Sequence, residues 1–244
     1  MRNIRLWIEY DGSHYAGWQR QNNAIAVQQV VEEALAKITG QTTSVIGSGR
    51  TDAGVHALNQ VANFKTTAEI PCWKLQRALN AHLPGDVVIK RVDEVPEEFN
   101  ARYSALGRTY FYYVVAEPTA IYRRYCWQAL FPFDAQKLFR LAPKLVGKLD
   151  FASFCKADYS AADTICVVKQ SEWKEDGNKL VYRITANRFL YGMVRGIVGT
   201  MMDVARGRFD EEDFEEILAA KNRARGGTAA PPNGLFLANV EYPE

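Results

Sequence analysis

The residues whose types and spacing could do chemistry lie together in one stretch, residues 47–56, which reads GSGRTDAGVH. Its three glycines surround one arginine, Arg50, and one aspartate, Asp52. Glycine-rich turns often bind phosphates, but a carboxylate repels a phosphate group beside it. The role of Asp52 therefore decides between a nucleotide-binding loop, a plain turn and a catalytic loop.

Both common phosphate-binding motifs fail in this stretch. The dinucleotide fingerprint G-x-G-x-x-G, started at Gly47, requires a third glycine at the position of Asp52. A P-loop reads G-x-x-x-x-G-K-[ST]. Gly49 and Gly54 have the required separation, but valine and histidine replace the lysine and the hydroxyl residue. A triphosphate would lose its main cation here, so an unrelated nucleotide-binding enzyme is disfavoured.

Two interpretations of the stretch remain open from the residues alone. In a plain turn, the glycines supply positive φ and Asp52 bonds a backbone amide. In a catalytic loop, the nearby Arg50 holds the carboxylate ionised in a water-poor pocket, where it acts as a nucleophile or base without a metal. The glycines then let a bulky planar substrate approach the backbone.

Composition restricts the class of protein. The chain has 244 residues, 48% hydrophobic and 24% charged, which is typical of a globular protein with one large or two small domains. Its four cysteines form no C-x-x-C pair and lie far in sequence from the three histidines, so neither zinc nor a disulfide framework is expected. Reduced thiols, with no apolar leader or span, predict a cytoplasmic protein.

The arginines indicate a polyanionic partner more clearly than the net charge does. The formal net charge is only +2, but 18 arginines stand against 12 lysines. Arginine presents a planar fork suited to phosphates and base edges. The arginines also occur in groups: Arg102 with Arg108, Arg123 with Arg124, Arg206 with Arg208, and Arg223 with Arg225. Solvated surface and a nucleic-acid interface are both compatible with such groups.

Hydrophobic periodicity and turn residues predict the elements that position these side chains. We expect strands at residues 4–10, 43–46, 57–64, 86–92, 108–115, 164–173 and 179–187 and from residue 234 onward. We expect helices at residues 25–39, 73–82, 134–147, 189–205 and 210–220. The strands on either side of Asp176 and Gly177 are predicted to form a hairpin.

This order of elements predicts an α+β fold with mixed, largely antiparallel sheets and helices on one face. The two halves of the chain show similar patterns, which predicts two similar subdomains. The first, residues 1–103, carries the Asp52 loop, and the second is residues 104–244.

The stretch GSGRTDAGVHA closely resembles the signature of the TruA family of tRNA pseudouridine synthases. Further blocks similar to the family follow in order along nearly the whole chain: YDG and YAGWQ at 10–19, FNARYSA and RTY at 99–110, DFASFC at 150–155, and residues 189–199 and 230–237. The departures are small and concern RNA contacts rather than the chemistry. Residues 164–168 lack an arginine often found there, and Tyr191 with Gly192 replaces more polar residues.

The resemblance implies an isomerase that converts uridine to pseudouridine in the anticodon stem-loop of tRNA, at tRNA positions 38, 39 and 40. The glycosidic N–C bond breaks, the uracil turns, and a C–C bond forms, with no metal and no cofactor. The resemblance also implies a homodimer that holds tRNA jointly, with a central RNA-binding cleft completed by the second subdomain. A non-catalytic tRNA-binding module of the same fold is the alternative.

The resemblance assigns roles to individual side chains. Asp52 is the catalytic aspartate, which attacks the base or the ribose or deprotonates the sugar. Arg50 pairs with Asp52 and occupies the space of the extruded uridine. Tyr110 stacks on uracil and its hydroxyl moves a proton. Arg195, on a mostly apolar helix, pairs with Asp52, and Leu235 packs against the base.

Ordinary structural roles remain open for three of these side chains. Arg50 could be a solvated loop residue, Tyr110 a core aromatic, and Arg195 a residue at the helix edge with its charge in solvent. Four further arginines are predicted to contact tRNA phosphates: Arg20, Arg102, Arg108 and Arg223.

Overall fold

The computed structural model describes residues 1–156 and 163–243 and divides the chain into two compact units. The first unit contains residues 1–106 together with the segment that begins at Phe236, and the second contains residues 107–235. Ten strands and five α-helices lie within the described residues. The predicted α+β class, with mixed and largely antiparallel strands, is confirmed.

The first unit is built on a sheet with strand order β4, β1, β3 and β10, and β2 also pairs with β3. β1 runs antiparallel to β3 and β4, whereas β10 runs parallel to β3. The elements are β1 (Arg2–Tyr10), α1 (Val27–Thr39), β2 (Ile46–Gly47), β3 (His56–Thr66), α2 (Cys72–His82), β4 (Val87–Val95) and β10 (Leu235–Glu241).

Alternation along β1 defines the core face of this sheet. Every second side chain from Ile4 to Tyr10 is buried, and the side chains between them are partly exposed. The chain passes between the units near residue 106 and again near residue 235, because β10 pairs with β3 through Phe236 and Leu237. Segments distant in sequence therefore complete the first unit.

The second unit contains an antiparallel sheet of strand order β5, β9, β8 and β7, with β6 parallel to β5. The hairpin predicted across Asp176 and Gly177 is confirmed as the connection between β8 and β9. The elements are β5 (Gly107–Val115), β6 (Trp127–Gln128), α3 (Ala135–Leu141), β7 (Gly147–Asp150), β8 (Ile165–Asp176), β9 (Lys179–Ala186), α4 (Met193–Ala205) and α5 (Glu211–Ala220).

Helix α4 is the buried helix that the sequence predicts. Its 13 residues are all buried except Arg195, which is partly exposed. An apolar surface around the whole helix is stable only when protein covers every face. Arg195, the charged residue near the N-terminal end of α4, is therefore at the one position of this helix that is partly exposed to solvent.

Several sequence expectations about elements were wrong. The strand expected at residues 43–46 is the two-residue β2, Ile46–Gly47, and the helix expected from residue 189 begins at Met193. Asp134 caps α3, accepting from Gln136 N at 2.9 Å, but this helix ends at Leu141 rather than near residue 147. Pro143 lacks the backbone N–H that a longer helix needs, and a short 3-10 turn follows instead. The short strands β6 and β7 were not expected, because two to four residues show no clear alternation.

In the part of the chain that the structure describes, no helix combines the length and apolar character needed to cross a bilayer.

Candidate active site

The loop that carries Asp52 connects β2 to β3, and the segment that follows β1 holds its backbone. Trp18 N donates to Thr51 O at 3.1 Å, and Gly54 N donates to Tyr15 O at 3.3 Å. The backbone is thus bonded on both sides of Asp52, whose side chain is partly exposed. A carboxylate on a held backbone remains accessible to a substrate.

A buried pair of hydroxyl groups lies directly before the aspartate. Tyr10 Oη and Thr51 Oγ1 are 2.8 Å apart, and both residues are buried. Burial raises the pKa of Tyr10 to about 12, so the phenol stays neutral around neutral pH. A neutral hydroxyl can share a hydrogen bond with Thr51, which fixes the residue next to Asp52.

The glycines of the loop region have different functions. Of the three loop glycines, all within the described chain, Gly54 alone has a positive φ, +77°. A Cβ at Gly47 would lie 2.5 Å from the Trp18 ring, whereas a Cβ at Gly49 would meet nothing within 4 Å. Outside the loop, a Cβ at Gly12 would lie 2.0 Å from Val55 O. Gly49 is therefore the loop glycine with open space beside it.

His56 ends the loop and was given no role by sequence reasoning. Its buried ring stacks on Phe236, with 4.6 Å between ring centroids, at the point where β10 pairs with β3. Gly12 N donates to His56 Nδ1 at 3.1 Å, and an oxygen of Asp11 is also 3.1 Å from that nitrogen. The only sequence signal for this contact was the place of His56 in the signature stretch.

Arg50 is exposed and bonds a neighbouring side chain. Its Nε donates to Gln19 Oε1 at 3.1 Å. Gln19 Nε2 in turn donates to Gln28 Oε1 at 2.7 Å, and Gln28 is buried. The guanidinium therefore has a fixed anchor that sequence reasoning missed, although Gln19 belongs to the YAGWQ block. The pairing of Arg50 with Asp52 stays a prediction.

Tyr110 lies on β5 and is 8% exposed. Its ring meets Phe189 edge to face, with 4.9 Å between centroids. Side chains alternate along β5, because Tyr110 and Tyr112 are buried whereas Phe111 and Tyr113 are partly exposed. Phe189, which fixes the ring, was not identified as a site residue from the sequence.

Arg195 is bonded to the segment that leads to Leu235. Its Nε donates to Ala230 O at 2.7 Å, and Ala230 N donates to Arg195 O at 2.9 Å. Tyr112 Oη donates to Pro231 O at 2.8 Å. Burial raises the pKa of Tyr112 well above its ordinary value, and the charge of Arg195 offsets only part of this effect. The second unit thus fixes the main chain just before Leu235, which is buried.

Two of the predicted phosphate-binding arginines lie in the first unit, and both are exposed. Arg20 forms an ion pair with Glu32 at 3.0 Å, which balances part of its charge. The guanidinium of Arg102 is 5.7 Å from the ring centre of Tyr103. A cation beside an exposed aromatic ring suits a nucleic-acid surface, but both phosphate contacts stay predictions.

The other two lie in the second unit and bond backbone carbonyls. Arg108 Nη1 donates to Asn187 O at 3.0 Å, and Arg223 Nη2 donates to Gly227 O at 2.9 Å. Both arginines are partly exposed. These bonds give each side chain a structural function, and their phosphate contacts also stay predictions.

In the described part of the chain, the cysteines and other possible metal ligands form no cluster. Within the described residues, no three His, Cys, Asp or Glu side chains gather closely enough to hold a metal ion. All four cysteines are free, and three are buried. Burial raises the pKa of Cys166 to about 11, so this thiol is protonated at neutral pH.

Comparison with known proteins places the chain in a family. A family model described as tRNA pseudouridine synthase matches residues 6–104 and 141–243. The chain belongs to this family. The sequence-based resemblance is thereby confirmed, and with it the prediction that the protein is an isomerase acting on uridine in tRNA.

Curated relatives of the tRNA pseudouridine synthase family match this chain over almost its full length. The tRNA pseudouridine synthase A of Caldicellulosiruptor bescii is 45% identical, covering 99% of this chain and 100% of its own. That of Thermoanaerobacter sp. (strain X514) is 42% identical, with coverages of 99% and 100%. That of Bacteroides fragilis is also 42% identical, with coverages of 98% and 96%.

Proposed function

We propose that this enzyme modifies uridines in the anticodon stem-loop of tRNA and that Asp52 is its catalytic group. The observation that carries the proposal is the Asp52 loop, whose backbone is bonded on both sides of a partly exposed carboxylate. Nucleophilic and base catalysis both need a carboxylate that is held in place and reaches the substrate. Family membership supplies the substrate, a uridine in tRNA.

The reaction rearranges bonds within one nucleotide. The bond from ribose C1′ to uracil N1 breaks, the base turns, and C1′ bonds C5. The proton on C5 leaves and N1 gains one, so product and substrate have the same atoms. Asp52 starts the reaction by attacking the base or the ribose or by removing a sugar proton.

We propose that four further side chains act on the same uridine. Arg50 takes the place of the flipped base, and its bond to Gln19 supports a defined position. Tyr110 stacks on uracil and moves a proton. Arg195 pairs with Asp52 and keeps it ionised, and Leu235 packs against the base. The Arg195 bond to the main chain before Leu235 supports a shared function for these two residues.

The proposal extends to assembly and location. The enzyme works in the cytoplasm, with which its four free thiols are consistent. It acts as a homodimer whose two subunits jointly hold tRNA. Arg20, Arg102, Arg108 and Arg223 contact tRNA phosphates.

The test is incubation with tRNA labelled in uridine, followed by nucleoside analysis. Wild-type protein should form pseudouridine at sites in the anticodon stem-loop, and Asp52→Asn should form it at a rate lower by about a thousandfold or more. Glu69→Gln is a control with the same change of charge at an exposed position in the first unit. Product formation by Asp52→Asn at the wild-type rate would reject Asp52 as the catalytic group. Salt-dependent tRNA binding without product from the wild type would favour the non-catalytic module instead.

A further inference from the structure

Residues 120–125, here called the Arg123 turn, form a continuous exposed segment between β5 and β6. They read AIYRRY, with two adjacent arginines between two tyrosines. The segment lies within residues 105–140, which the family model leaves unmatched. Cations interleaved with exposed aromatic rings are typical of surfaces that bind nucleic acid.

The Arg123 turn is held in a defined conformation. Tyr125 N donates to Tyr122 O at 2.8 Å, which closes the turn. Asn233 Nδ2 donates to Arg123 O at 3.1 Å and to Cys126 O at 2.7 Å. A surface segment that is already ordered loses little conformational entropy when it binds a partner. The turn is therefore preorganised for contact.

The same asparagine places the Arg123 turn close to the proposed base-packing residue. Asn233 precedes Leu235 by two residues, a length of chain that spans at most about 7 Å. Asn233 also contacts the backbone of Arg123 directly. A nucleotide packed on Leu235 thus has its neighbouring phosphates within reach of the long arginine side chains of the turn.

Charge at this surface favours a polyanion over a second copy of the chain. Lys179 Nζ lies 4.3 Å from the ring centre of Tyr122 and adds a third cation to Arg123 and Arg124. One carboxylate, Asp176, faces Lys179 across the hairpin. A two-fold contact centred on the turn would bring these cations against their own copies, which is unfavourable.

We propose that the Arg123 turn binds the phosphate backbone of tRNA beside the uridine that is modified. The inference rests on the proposed function, because it takes Leu235 as the base-packing residue and tRNA as the substrate. Arg123 and Arg124 supply the charge, and Tyr122 and Tyr125 supply ring surface beside it.

The experiment compares tRNA affinity across a salt series for the wild type and the double variant Arg123→Gln/Arg124→Gln. We expect Kd to rise about tenfold at about 0.1 M salt, and the slope of log Kd against log salt to fall by about one unit per arginine. Arg77→Gln, at an exposed arginine on α2, is the control and should change neither quantity. The double variant Arg123→Lys/Arg124→Lys keeps the charge and should keep most of the slope.

Three further measurements make the outcome decisive. Thermal unfolding shows that the variants are folded, and sedimentation without tRNA shows their oligomeric state. An unchanged Kd and salt slope in the folded glutamine variant would overturn the proposal. So would a changed oligomeric state, which would assign the turn to a contact between subunits. Pseudouridine formation by the wild type is measured in parallel. If the wild type formed no pseudouridine, the proposed function would be rejected, whereas the binding of tRNA by the Arg123 turn would still be decided by Kd and the salt slope.

Discussion

The two units hold their proposed functional side chains in different ways. In the first unit, Asp52 lies on a loop whose position depends on a few bonds to the segment after β1. In the second unit, Arg195 lies on a helix whose other twelve residues are buried. A helix is positioned by its whole packed surface, whereas this loop is positioned by separate contacts. Small changes remote from the chemistry should therefore affect the loop more than the helix.

The largest expected effect comes from the carboxylate itself. Asp52→Asn should lower the rate of pseudouridine formation by about a thousandfold or more, because the amide is neither a nucleophile nor a base. The backbone bonds around residue 52 are kept, so tRNA affinity and thermal unfolding should stay close to wild type. Single-turnover assays with saturating enzyme measure the rate. A variant that lost tRNA binding to the same degree would show a binding function for Asp52.

Arg195→Met tests the helix side of the comparison. If Arg195 pairs with Asp52, turnover should fall about 10- to 100-fold with a much smaller change in tRNA affinity, as expected for loss of a hydrogen bond to a charged group. Arg195→Lys keeps the charge and should recover part of the turnover. Separate measurement of kcat and of Kd decides the point, and unchanged turnover in Arg195→Met would reject the pair.

Gly12→Ala tests how closely the loop is held. The added methyl group would lie 2.0 Å from Val55 O, so the loop must move, at a cost of about 1–3 kcal/mol in the free energy of unfolding. Gly49→Ala is the matched change, because its methyl group meets nothing within 4 Å. Urea denaturation should show a lower free energy of unfolding for Gly12→Ala and an unchanged one for Gly49→Ala. If Gly49→Ala keeps its stability but loses turnover, the open space beside Gly49 serves the substrate.

The smallest expected effect is the loss of one buried hydroxyl in each unit. Tyr10→Phe removes the partner of Thr51, and Tyr182→Phe removes the partner of Ser171, each at 2.8 Å. Both should cost about 1–2 kcal/mol in the free energy of unfolding, since each leaves a buried hydroxyl with fewer bonds. Only Tyr10→Phe should also slow turnover, because Thr51 adjoins Asp52. If Tyr10→Phe and Tyr182→Phe slowed turnover equally, the loss of turnover would follow from lower stability and not from the contact with Thr51.

Local sequence patterns predicted most helices and strands. The apolar run that becomes α4 and the hairpin at Gly177 follow from composition and turn residues alone. The helix expected at residues 210–220 is also present as α5, and a capping box begins it, with Asp210 N donating to Asp213 Oδ2 at 2.8 Å. These features depend on residues close in sequence, which is why a sequence pattern is enough.

Contacts between distant segments could not be predicted in this way. Nothing in the pattern of β10 indicates that it pairs in parallel with β3, because parallel strands can be far apart in the chain. Two further contacts also join segments that are distant in sequence: the bond from Arg195 to Ala230 and the bonds from Asn233 to the Arg123 turn. A side chain that bonds a carbonyl leaves no periodic signal in the sequence.

In the candidate site too, some residues could be identified from the sequence and others only from contacts in the structure. Asp52, Arg50 and Tyr110 could be named because they lie in blocks that resemble a family. The side chains that hold them, Gln19 for Arg50 and Phe189 for Tyr110, became visible only from contacts. Family blocks thus identify side chains proposed to do chemistry, and the structure adds the supports.

The parallel pairing of β10 with β3 has a consequence for the making of the protein. β3 is translated before any of the second unit, since chains grow from the N-terminus. The end of β3 next to the Asp52 loop must therefore wait for Phe236, which stacks on His56, and for Leu237. A chain released early would carry the loop without this support. Completion of translation thus becomes a condition for a finished Asp52 loop.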